Sequence, residues 1–166
     1  MSTRGILGHK VDGQIYGMYN HYDSYPEGLG VEVFKLIRDM DWDIFKDRLQ
    51  ELHYNSVIDR DIIDGIEHYT EIILGKTDFY PEAIDFIKDS LFCEWAYIMD
   101  FDEHKLDIYR GFQKSPTKGN IFGETPNKQG YYPCKLIKTI DFNEIISTDE
   151  DYLITTLDHE LGVEYD

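Results

Sequence analysis

The residues best suited to chemistry lie close to the start of the chain: Thr3, Arg4, Tyr19, His21, Asp23 and Tyr25. A guanidinium suits bidentate recognition of a phosphate or carboxylate. An imidazole beside a carboxylate, as in His21 and Asp23, can work as an acid/base pair. Tyrosine rings can stack on a nucleobase. Gly28 and Gly30, just ahead of a helical pattern, could offer backbone N–H groups to an anion. The same stretch, "YNHYDSYPEGLG" (19–30), also reads structurally. Arg4 would then pair with Asp23, His21 would bond a carbonyl, and Tyr25-Pro26 would be a turn.

What brings Arg4 to His21 is a hairpin. Asp12-Gly13 sits between two alternating runs, 4–11 and 14–21. Asp-Gly in that setting signals a two-residue type I′ turn. The register then sets Val11 opposite Gln14, Gly8 opposite Gly17, Ile6 opposite Tyr19, and Arg4 opposite His21. Alternation puts Leu7, His9, Val11, Tyr16, Met18 and Asn20 on one face, the better core face. The other carries the Gly8/Gly17 pair, which signals close approach by packing or by a ligand.

Other candidates are weaker. Asp100, Asp102, Glu103 and His104 gather in one turn, but turns attract acids and the spacing matches no metal loop; no metal or cofactor is expected. Asp158, His159 and Glu160 read as a solvated helix end. Ser2, exposed if Met1 is removed, could serve as an N-terminal nucleophile. Cys93 and Cys134 lack zinc-site spacing and read as reduced thiols.

The remaining pattern supplies the scaffold. Helices are expected over 31–39, over about 43–52 with Asp41 or Asp43 as cap, over about 60–74 ending at Gly75, and over about 81–91 with Pro81 in its first turn. A second hairpin is expected over 94–113, with Trp95, Tyr97, Met99 and Phe101 on one face and "DEHK" as its turn. A loop follows over 114–130. A fifth strand over 131–140 starts near Pro133 or lies at an edge, and a last helix over about 148–161 is capped at Thr148. The expectation is one α+β domain over 1–166, with an antiparallel sheet of about five strands packed with four to five helices.

Composition sets limits. The chain has 166 residues and 42% hydrophobic content, enough for one core. Its 33 acids against 16 Lys+Arg give a net charge of −17, which speaks for solubility or an acidic face for a basic partner, as in a nucleic-acid mimic. Direct nucleic-acid binding is not expected, because phosphate neutralisation needs clustered Lys and Arg. No run approaches the ~20 apolar residues of a membrane span. The N-terminal residues lack the apolar segment of a signal peptide, so a cytoplasmic location is expected.

"TRGILG" with its Asp-Gly hairpin, "YNHYDSYPEGLG", and "WAYIMDFD" followed by "LDIYRGFQ" together resemble small uncharacterised proteins of bacteriophages and prophages. The resemblance implies a bacterial host cytoplasm and an accessory role, such as countering host defence. The sequence thus leaves three readings. The first is a protein that binds or sequesters a small phosphate-containing, nucleotide-like ligand. The second is an acidic inhibitor of a host enzyme. The third is a small N-terminal-nucleophile-like hydrolase.

Overall fold

The computed structural model describes residues 3–56 and 64–161. The first hairpin is β1 (Gly5–Val11) and β2 (Gln14–Asn20). Its register is the expected one, Gly8 opposite Gly17 and Ile6 opposite Tyr19. Asp12 and Gly13 both have positive φ, as a type I′ turn requires. The Asp102 carboxylate accepts from both turn amides, Asp12 N (2.8 Å) and Gly13 N (2.9 Å).

Helices α1 (Val31–Asp39) and α2 (Trp42–Gln50) follow, and Asp41 caps α2 by accepting from Asp43 N and Ile44 N. Next come β3 (His53–Ser56), α3 (Gly65–Ile73) and β4 (Phe79–Glu82). The expected start of the third helix, with Ile62 and Ile63, lies outside the described residues. The second hairpin is β5 (Trp95–Asp100) and β6 (Lys105–Arg110); β7 (Lys135–Asp141), α4 (Phe142–Ser147) and α5 (Glu150–Leu161) complete the fold.

The sheet order is β2-β1-β5-β6-β7. About five strands were expected and five form; β7 is an edge strand, but it begins at Lys135, two residues after Pro133, and not at 131. The sheet is mixed, however, not wholly antiparallel: β1 and β5 run parallel. β2 ends beside the start of β1, and β5 sets out from that same end along the other edge of β1, so β5 runs antiparallel to β2 and parallel to β1. Pro81 is not in a helix either. It lies in β4, which pairs in parallel with β3, and only Ile84–Lys88 forms a short 3₁₀ turn. The last helix is capped one residue later than expected, by Asp149 Oδ1 accepting from Asp151 N at 2.8 Å.

Both faces of the sheet are covered. Leu7, Val11, Met18, Trp95, Tyr97, Met99 and Phe101 pack on the helices in the larger core. Ile6, Ala96, Ile98 and Tyr109 form a smaller core with Ile87, Cys93 and Cys134, closed by Ile84, Phe86 and Phe122. The molecule is thus a helical layer, a sheet, and a thinner layer built from the 3₁₀ turn and the 114–130 loop. Burial pushes the Cys93 thiol well above its ordinary range, reinforced by the neighbouring Cys134. The native protein should therefore leave an aromatic disulfide reagent unreduced, and both thiols should react after denaturation. Rapid native reaction would contradict this packing.

Candidate functional site

The six residues singled out above divide between the two layers. Chain direction decides this: the β1–β2 ladder ends at Gly5 and Asn20, and Asp23, at φ 53°, turns the backbone away. Arg4, Tyr19 and His21 stay with the thin layer. The Arg4 guanidinium is 5.6 Å from the centre of the Phe92 ring. Tyr19 meets His21 edge-on at 5.6 Å and Phe86 at 5.1 Å, and His21 meets the exposed Tyr22 at 4.3 Å. Tyr25 packs on the helical core instead. Its hydroxyl donates to Asp23 Oδ1 at 3.3 Å, and the Asp23 charge, with lesser help from burial, raises its pKa. Thr3 contributes its carbonyl, which accepts from Ser24 N.

The surroundings differ as well. Around Asp23 the field is negative. Burial first, then the Asp64 carboxylate, holds the Glu32 carboxyl above its ordinary value; Lys35 opposes this and Asp23 adds to it. Arg4 has no carboxylate within ion-pair distance among the described residues, so the Arg4–Asp23 staple does not form. An anion is favoured at Arg4 and disfavoured at Asp23 and Tyr25.

Much of 19–30 is occupied with holding its own shape. Buried Asn20 donates through Nδ2 to Tyr22 O (2.7 Å) and Ser24 Oγ (2.8 Å), and Tyr97 donates to Ser24 O (2.8 Å). The amides of Gly28 and Leu29 donate to Tyr25 O and Asp23 O, and that of Gly30 is directed back at Tyr25 O. These N–H groups are therefore not offered to an anion. A Cβ on Gly28 would run into the Asp23 carbonyl, so this glycine serves close approach.

The Asp100–His104 turn is likewise structural. Asp100 Oδ1 accepts from Asp102 N and Glu103 N, Asp102 holds the first hairpin, Glu103 pairs with Lys105 at 2.8 Å, and His104 stacks on Phe142. No group that could hold a metal ion occurs among the described residues. Ser2 lies outside them, as do the side chains of Asp158, His159 and Glu160. A cavity of about 450 Å³ opens beside Arg38, but this guanidinium already donates to Glu150 (2.7 Å), Ile145 O (3.1 Å) and Thr148 O (2.9 Å).

Two features escaped the sequence reading. One is a buried relay centred on His9, whose Nδ1 lies 2.7 Å from the Tyr69 hydroxyl and whose Nε2 lies 2.9 Å from that of Tyr54. Tyr69 and Tyr80 hydroxyls are 2.6 Å apart, and Tyr80 reaches Leu7 O at 3.3 Å. Both neutral forms of the ring satisfy the cluster: protonated on Nδ1, His9 accepts from Tyr54 and donates to Tyr69, which donates to Tyr80; protonated on Nε2, it donates to Tyr54, which donates to Leu49 O at 3.3 Å, and accepts from Tyr69. Burial lowers the His9 pKa to about 3 and raises those of Tyr69 and Tyr80. The alternation had placed His9 on the core face, but the partners come from distant segments.

The other feature is a charge imbalance that whole-chain counting hides. Residues 108–138 hold Arg110, Lys114, Lys118, Lys128, Lys135 and Lys138 against the single acid Glu124. A windowed charge count would have found it. No family model, curated protein or solved structure matches the chain.

Proposed function

We propose that the protein is a binding protein for a small phosphate-bearing, nucleotide-like ligand, in keeping with the accessory role that its resemblance to phage proteins implies. The site is the Arg4 corner, not the whole of 3–25. The observation that carries this is the placement of Arg4: a guanidinium over the exposed Phe92 ring, with no carboxylate partner among the described residues of a chain of net charge −17. The adjoining His21, Tyr19 and Tyr22 supply rings for a base. Asp23 and Tyr25 drop out of the ligand set, because their surroundings repel phosphate.

Thermal shifts against mononucleotides, cyclic dinucleotides and dinucleotide cofactors test the reading. A ligand at about a hundred times its Kd should add ~2.7 kcal/mol of stability. Arg4→Ala should abolish that shift while the unliganded melting temperature stays within a few degrees. A panel without any hit, or a hit that Arg4→Ala leaves intact, would reject the site.

A second reading, an acidic protein-binding inhibitor, draws on the helical layer, where Glu32, Asp39, Asp43, Asp47, Glu51 and Asp64 are all exposed. Binding of that kind should weaken steeply with added salt.

A further inference from the structure

The geometry points to a redox clasp: Cys93 and Cys134 form a disulfide that locks the thin layer, with a small-molecule disulfide such as oxidised glutathione as the oxidant. It goes beyond the Arg4 reading and stands whether or not that corner takes a ligand. Both residues are free thiols and fully buried. One buried cysteine is ordinary packing. Here two meet that lie 41 positions apart in the sequence. The Cys134 thiol donates to Cys93 O at 3.3 Å and the Cys93 thiol to Trp95 O at 3.6 Å, so both sulfurs sit on the same short run of backbone. Both main chains also hang from the 3₁₀ turn and the residue that ends it. Cys134 N donates to Ile87 O at 3.0 Å, and Cys93 N to Asp89 O at 2.8 Å. The Cys134 thiol acts directly on that of Cys93, by hydrogen bonding and by charge. No third metal-ligating side chain joins them among the described residues, so the chemistry left to the two thiols is an S–S bond.

That bond joins the chain entering β5 to the chain entering β7. It closes a loop that holds β5, β6 and the 114–130 segment. In the reduced protein this segment is held by non-covalent contacts. Asn120 Nδ2 donates to Cys134 O at 2.9 Å, Asn127 Nδ2 donates to Asp89 Oδ1 at 2.8 Å, and Phe122 packs on the smaller core. Cys93 also lies between Phe92, whose ring faces Arg4, and Glu94, whose amide donates to Arg4 O at 2.9 Å. The clasp therefore fixes the floor of the Arg4 corner as well as the loop.

Burial holds the Cys93 thiol protonated, and the thiolate is the nucleophile. Exchange therefore waits until the loop lifts Phe122 off the smaller core. The same burial keeps the native protein inert to brief exposure to a thiol reagent. In the opened state the first cysteine thiolate attacks one sulfur of the glutathione disulfide and expels a glutathione thiolate. The second cysteine thiolate attacks the resulting mixed disulfide at the protein sulfur and expels the other. The departing thiolates take up the two cysteine protons. The pair loses two electrons, and one glutathione disulfide becomes two thiols.

The test equilibrates the full chain with glutathione buffers of graded redox ratio, in native buffer and in concentrated urea. Remaining thiols are then blocked under denaturing conditions and the products are resolved by mass spectrometry. An intramolecular disulfide is expected, with a formation constant roughly 10²–10³-fold larger in native buffer than in urea, because the fold has already brought the two ends together. The oxidised protein should melt about 5 °C or more above its reduced form. Phe122→Ala, which uncovers the smaller core, should speed native oxidation at least about fivefold. Four results would overturn the proposal: glutathione adducts or free thiols alone at equilibrium, equal formation constants in native buffer and urea, a melting temperature that oxidation leaves unchanged or lowers, or native oxidation no faster in Phe122→Ala.

Discussion

Acidification from pH 7 to pH 5 is expected to destabilise the protein by about 2 kcal/mol through His9 alone, with ~1.4 kcal/mol more lost per further pH unit. The sign follows from the direction of the shift. His9 is fully buried and its pKa is lowered to about 3, whereas an unfolded histidine titrates near 6.5. Between these values the unfolded chain takes up a proton that the folded chain refuses. The stabilising contribution is therefore complete above about pH 6.5 and drains away as the pH falls toward 3. Glu82 and Asp107, whose carboxyls are raised chiefly by burial, act in the opposite sense as the pH falls. The comparison that isolates His9 is thus between wild type and His9→Gln, by chemical denaturation at several pH values. The variant should be less stable at pH 7, since it disturbs the fully buried hydroxyl of Tyr69 and the half-buried one of Tyr54. Its stability should also fall less between pH 7 and pH 5. Parallel pH profiles would show that His9 is not held neutral by the fold.

Alanine at Gly8 or Gly17 is expected to destabilise the protein by about 1–3 kcal/mol or more, with the two sites responding differently to compensation. The pair lies in mid-ladder, and the structure assigns its space to packing. A Cβ on Gly17 would come 2.6 Å from Ile6 Cγ2 and 2.9 Å from Ile84 Cδ1. A Cβ on Gly8 would collide with the Tyr16 carbonyl and come 3.0 Å from the Gly17 Cα and Ile98 Cδ1. The first clash is partly with the tip of a side chain, so Ile84→Val should recover about 1 kcal/mol of the Gly17→Ala loss. The second is largely with backbone, and trimming Ile98 should rescue little. Wild-type stability in Gly17→Ala would mean that the 3₁₀ turn is not docked on β2 as described. A rescue of Gly8→Ala by Ile98→Val as large as that at Gly17 would contradict the backbone origin of the clash.

Several local features were determined by the sequence alone. Asp12-Gly13 dictates the hairpin and its register, because a type I′ turn admits one pairing. Alternation in β1 and β5 identifies the face that carries Leu7, Met18, Trp95 and Tyr97, since the side-chain period of a strand is two. The apolar spacing of 31–39 and the Asp41 cap define α1 and α2, because their hydrogen bonds close within a few residues. Only the tertiary structure decided what depends on contacts between distant segments. The parallel pairing of β1 with β5 comes from β5 docking on the free edge of β1 and not on β2. Pro81 lies in a strand because β3 offers it a partner, outweighing its suitability for a helix start. The second face of the sheet is dry because the 3₁₀ turn and the loop fold over Ile6 and Ile98, which turned an open glycine pair into packing. His9 meets Tyr54, Tyr69 and Tyr80 only once three separate elements are stacked on β1, and the reversal at Asp23 sends Tyr25 to one layer and leaves Arg4 with the other. Local periodicity records which face of an element is apolar; it carries no record of what will cover that face.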